Sequence, residues 1–153
     1  MKVLFVIVGM FFTFISSATP MNTPLKKGDL IILEVTKNIT IPFNQKRINL
    51  TLSTVPSVLN QVFLSLKTAH GLDRTIAQGE NLEFEVLRIV TDQYFFNLVT
   101  VDLIPKNANS SISALSVIFH PNQNGATIDG FKNNAESILN YFRILSIESQ
   151  PSH

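Results

Sequence analysis

Strict alternation of apolar and polar residues over short stretches constrains this chain more than any other feature. In "RINLTL" (47–52), Ile48, Leu50 and Leu52 fall on one side and Arg47, Asn49 and Thr51 on the other. "VFLSLK" repeats the pattern with Val62, Leu64 and Leu66 inward and Phe63, Ser65 and Lys67 outward. "NLEFEVLRIV" does so again, with Leu82, Phe84 and Val86 opposed to Glu83 and Glu85. A period of two turns one face to a core and the other to water only in a β-strand. Leu30 to Val35 is nearly all apolar after the turn-like "KKGD", which suits a strand covered on both sides or at a dimer edge. Ile112 to Phe119 adds a strand, closed by "HPNQNG" with the turn dipeptide Asn124-Gly125.

Residues 81–101 read as an antiparallel hairpin turning at Thr91 to Gln93. In its second strand, Tyr94 and Phe96 are placed on the core side, while Phe95, Val99 and Val101 form either an inner layer or a binding surface. Phe63 raises the same question on its own strand. The segment 133–147 fits a helix capped at Asn133 or Asn134, a strand through "YFRILSI", or a helical turn leading into a strand. Seven or eight short strands separated by turns predict an all-β antiparallel sandwich or barrel, with a possible short C-terminal helix.

Residues 1–18 resemble a secretory signal peptide: Lys2, an apolar run from Val3 to Ile15, then Ser16-Ser17-Ala18. That run is too short to span a bilayer as a helix, which takes roughly 20 residues. The rest is read as one domain over 19–148 and a frayed tail over 149–153, in a secreted, extracellular protein. The chain has 12 Lys and Arg, one of them Lys2, against 11 Asp and Glu, with no like-charge run. Such balance argues against nucleic acid or an anionic membrane as partner. Without cysteine the fold depends on its hydrophobic core, and thiol catalysis and thiolate metal sites are excluded. Sequons at Asn38, Asn49 and Asn109 fit an exported glycoprotein.

Few residues suggest catalysis. His70, His120 and His153 share no metal-ligand spacing, no G-x-S-x-G elbow occurs, and no glycine-rich phosphate loop is present. Asp73 and Arg74 near His70 fit a polar loop. Glu83 and Glu85 would project about 7 Å apart on a strand, which an exposed strand face explains better than paired-carboxylate glycoside hydrolysis. No enzyme, metal or cofactor is expected.

The succession "PLKKGDLIILEV", "INL", "VFLSLK" and "GENLEFEVLRIVTDQYFFNLV", followed by "ISALSVIF", resembles the galectin domain over about residues 24–119, most specifically in the hairpin 79–99. The resemblance implies a galectin/concanavalin-like jelly roll and a carbohydrate-binding face. It aligns Ser65 with the family's sugar-binding histidine, Lys67 with an asparagine, Ala69 with an arginine and Gln78 with a second asparagine. The family's tryptophan has no counterpart, because the chain contains none. Sugars are held where aromatic area and oriented polar groups converge, so plain β-galactoside binding is expected to be altered or lost. The expectation is a non-catalytic binding module for a glycan or an extracellular protein surface, with Ser65, Lys67 and Gln78 as candidate contacts. The alternative is a secreted β-barrel carrier of small apolar ligands, since alternation alone does not separate barrel from sandwich.

Overall fold

The computed structural model describes residues 23–51, 60–69, 71, 73–94, 97–121 and 126–151. The leader, Phe95, Phe96, His70, His153 and the Asn124-Gly125 turn lie outside the described residues. Among the described residues nine strands and one helix follow in chain order: β1 (Leu30–Val35), β2 (Ile39–Ile41), β3 (Arg47–Asn49), β4 (Gln61–Leu66), β5 (Arg74–Ile76), β6 (Asn81–Asp92), β7 (Leu98–Pro105), β8 (Ile112–Phe119), α1 (Ile128–Ile138) and β9 (Phe142–Glu148). The fold is all-β, as expected: seven strands form one sheet in the order β3-β4-β8-β7-β6-β1-β9, and β2 and β5 form a second. All the pairings are antiparallel.

Alternation is realised wherever one sheet face is buried. Val62, Leu64 and Leu66 of β4, Phe84 and Val86 of β6, and Leu115, Val117 and Phe119 of β8 enter one core. Ile39, Ile41 and Ile76 of the small sheet join it, as do Ile128, Phe131, Ala135 and Leu139. Those last four recur at helical spacing, so α1 presents one apolar stripe to the large sheet. Three short pieces, β2, β5 and α1, thus contribute to the layer over the inner face. Phe131 meets Phe119 edge to face, 6.0 Å between ring centroids.

The structure corrects several details. Thr91 and Asp92 still pair within β6, opposite Val99 and Leu98, so the hairpin turns after Asp92 rather than at Thr91 to Gln93. Tyr94 belongs to that turn and is 99% exposed, not core. Asn97 takes a left-handed φ of 53° just before β7, and Val99 and Val101 face the core. The C-terminal segment is a helix leading into a strand, but the helix starts earlier than Asn133: Thr127 caps it, its hydroxyl accepting from the Gly130 amide at 3.0 Å. Beyond β9 the chain is still held at Gln150, whose amide donates to Asp29 at 3.1 Å.

Both edges of the large sheet are blunted, as edges that must not recruit further strands are. β3 is three residues long, and β9 carries Arg143 and Glu148 and a register shift that leaves Leu145 unmatched against β1. The "KKGD" turn closes with the Asp29 amide donating to the Lys26 carbonyl at 3.2 Å, and Gly28 has φ of +91°. A Cβ at Gly28 meets nothing within 4 Å, so the cost of adding one is purely backbone strain. Gly28→Ala is expected to lower the melting temperature by a few degrees, corresponding to about 1 kcal/mol. Gly71→Ala, where space is also open but φ is not positive, serves as the neutral control in the same thermal melts.

Candidate functional site

The outer face of the large sheet is built by the complementary half of each alternation. Successive cross-strand partners draw a row over five strands. Arg88 on β6 pairs with Asp102 on β7, Asp102 with Ser116 on β8, Ser116 with Phe63 on β4, and Phe63 with Asn49 on β3. At the usual strand spacing this row spans roughly 19 Å. Beside it, Ser65 pairs with Arg47 on one flank and Ala114 on the other.

Arg88 reaches this face only because of a bulge. The residues at 84 and 86 point inward, so unbroken alternation would send Arg88 into the core as well. A register shift between Val86 and Arg88 absorbs one residue and places the guanidinium opposite Asp102. Asp102 is 8% exposed, and both its oxygens are occupied. The Ser116 hydroxyl donates to Oδ1 at 2.6 Å, and Arg88 Nε donates to Oδ2 at 2.5 Å. Since the Arg88 side chain is 67% exposed, water screens the pair and its role is chiefly to fix the carboxylate.

At the other end of the row, the Arg47 guanidinium lies 4.0 Å from the centroid of the Phe63 ring. Cation and ring face attract at this distance. The outcome is a half-buried aromatic shelf topped by a cation, with a hydroxyl on the next strand and a held carboxylate on the strand after that. Planar donors, an acceptor and a ring on a rigid sheet can grip a polyhydroxylated ligand, in which apolar and hydroxyl-bearing faces alternate.

Comparison with protein-family models, curated proteins and solved structures gives no match.

Of the three candidate contacts Ser65, Lys67 and Gln78, the structure places only Ser65 on this face. Lys67 follows the end of β4, where its amide donates to the Ser111 carbonyl at 2.9 Å and its ammonium to the Ala108 carbonyl at 2.5 Å. Gln78 lies in the turn after β5, in the small sheet's surroundings, with its amide donating to Asn38 Oδ1 at 2.8 Å. The three therefore do not converge. Arg47, Asp102, Ser116 and Arg88 were not singled out by sequence. The available signals were polar residues at outward phases of otherwise apolar strands, Asp102 and Ser116 above all, and an arginine out of phase at 88.

Two recesses lie elsewhere. One, about 540 Å³, is bordered by Arg74, Glu80, Glu83, Lys106 and Asn109. The other, about 530 Å³, is bordered by Lys26, Lys27, Lys106 and Gln150. Neither is lined by Phe63, Ser65 or Asp102. Among the described residues no three His, Cys, Asp or Glu side chains gather to hold a metal ion, and no helix is long and apolar enough to cross a membrane.

Proposed function

We propose that the chain is a secreted, non-catalytic binding module that takes a glycan on the outer face of its large sheet, with β-galactoside specificity altered or lost. The observation that carries this is the cross-strand row from Arg88 to Asn49, in which an aromatic shelf, a cation, a carboxylate and hydroxyls share one rigid surface. The resemblance to galectins supports a glycan as the partner, and the dispersal of Ser65, Lys67 and Gln78 supports a changed specificity. Secretion rests on the leader-like residues 1–18. Against a carrier of apolar ligands stands the packed interior, in which the large side chains Phe84, Phe119 and Phe131 are fully buried.

The test is a glycan array and a lactose column, both with the unglycosylated protein. Binding to at least one glycan class is expected, with Phe63→Ala weakening it about tenfold, the equivalent of an aromatic contact worth about 1.4 kcal/mol. An array without a hit overturns the glycan reading. Retention on lactose that free lactose displaces overturns the loss of β-galactoside specificity.

A further inference from the structure

We infer that Asn49 carries an N-linked sugar and that its first N-acetylglucosamine packs on the Arg47–Phe63 shelf. The three sequon asparagines, Asn38, Asn49 and Asn109, are all exposed. Asn49 differs in its surroundings, because its cross-strand partner is Phe63. Directly opposed residues on one face of an antiparallel pair hold their Cβ atoms about 5 Å apart, so a sugar on the Asn49 amide emerges beside the aromatic ring and the guanidinium above it.

The side chain is already set for this. Asn49 Oδ1 accepts from the Thr51 amide at 2.9 Å and from the Thr51 hydroxyl, while Nδ2 has no partner among the described residues. Thr51 in turn accepts the Val62 amide on its hydroxyl at 3.0 Å, which anchors the sequon to β4. The carboxamide is thereby held with its nitrogen outward, toward the face it would decorate. In the transfer itself, Nδ2 bonds to the anomeric carbon of a lipid-pyrophosphate-linked oligosaccharide. The bond from that carbon to the pyrophosphate oxygen breaks, the pyrophosphate leaves with the electron pair, and the amide nitrogen gives up one proton. A sugar attached there covers the ring edge and meets the donors of Arg47, which has no ion-pair partner among the described residues.

The test uses the full chain secreted from glycosylating cells, with Thr40→Ala and Ser111→Ala removing the other two sequons while keeping their asparagines. Peptide mass spectrometry reads occupancy of Asn49, and endoglycosidase trimming leaves a single N-acetylglucosamine. The trimmed protein is expected to melt about 3–5 °C above the identical unglycosylated chain, the scale of one aromatic contact in a domain of this size. In Phe63→Ala, and in Phe63→Leu should the alanine variant not fold, that gain is expected to fall below about 1 °C. An unmodified Asn49, or a gain that survives loss of the ring, overturns the inference. A sugar on Asn49 takes the Arg47–Phe63 end of the row and competes there with an external glycan; because array binding is measured on unglycosylated protein, failure here is separable from failure of the glycan-binding reading.

Discussion

Phe131→Ala is expected to lower the unfolding free energy by about 4 kcal/mol in urea titrations, the largest effect of any single substitution argued for this chain. Phe131 is fully buried on α1, one of the side chains that cover the inner face of the sheet, and its ring meets Phe119 of β8 edge to face. Truncation loses the transfer energy of the ring, the aromatic contact and the packing of the space left behind. Phe119, the neighbour whose ring meets that of Phe131, is held by the backbone pairing of β8 with β7, which limits its collapse into the space. Domains of this size are typically stable by about 5–15 kcal/mol, and no disulfide can compensate in a chain without cysteine. The variant should therefore sit near the edge of folding. Lys132→Ala, one position away and off the buried stripe, should stay within about 0.5 kcal/mol. A loss below about 1 kcal/mol for Phe131→Ala would mean that α1 is not part of the core.

How much of this was legible depends on how far alternation runs undisturbed. β4 and β8, and the first half of β6, keep one apolar face over four or more residues, and their orientations follow from sequence. β2 and β5 are three residues each, too short for a period to show, although Ile39, Ile41 and Ile76 are core. Tyr94 looked like a strand residue because it is aromatic beside Phe95, yet the turn begins before it, and only pairing reveals that Thr91 and Asp92 still belong to β6. The start of α1 was obscured by Gly130, a poor helix residue in the first turn, while Thr127 with Asp129 behind it was the cap signal. Ser65 was legible as an outward residue. Lys67 shares its phase, but the phase stops mattering once β4 ends at Leu66. Gln78 was placed by family likeness on a strand where the chain instead turns, through Gly79 with φ of +87°. Phe63 and Asn49 were legible as outward residues, but the row that joins them to Ser116, Asp102 and Arg88 was not, because it depends on four separate registers and on a bulge that no single segment encodes.

Asp29→Asn is the second large expected loss, and its mechanism depends on hydrogen-bond polarity rather than volume. Asp29 is fully buried at the start of β1. Its Oδ2 accepts from the Lys26 amide at 2.9 Å and its Oδ1 from the Gln150 amide at 3.1 Å, so one carboxylate closes the "KKGD" turn and ties down the chain after β9. Both partners are donors. An asparagine of the same shape supplies one acceptor and points an N–H₂ group at the other donor, leaving two donors facing each other in a part-buried contact. Hydrogen bonds to a charged group contribute about 1.5–3 kcal/mol, and an unsatisfied buried group costs a similar amount. A loss of about 3 kcal/mol in urea titrations is expected for Asp29→Asn, close to that of Asp29→Ala, although asparagine is the nearly isosteric replacement. Amide hydrogen exchange should locate the damage, with protection falling at Lys26 and Gln150 before the central strands β7 and β8. An Asp29→Asn variant within 0.5 kcal/mol of the parent would show that only one of the two oxygens carries a working hydrogen bond, and that the segment after β9 does not depend on the turn before β1.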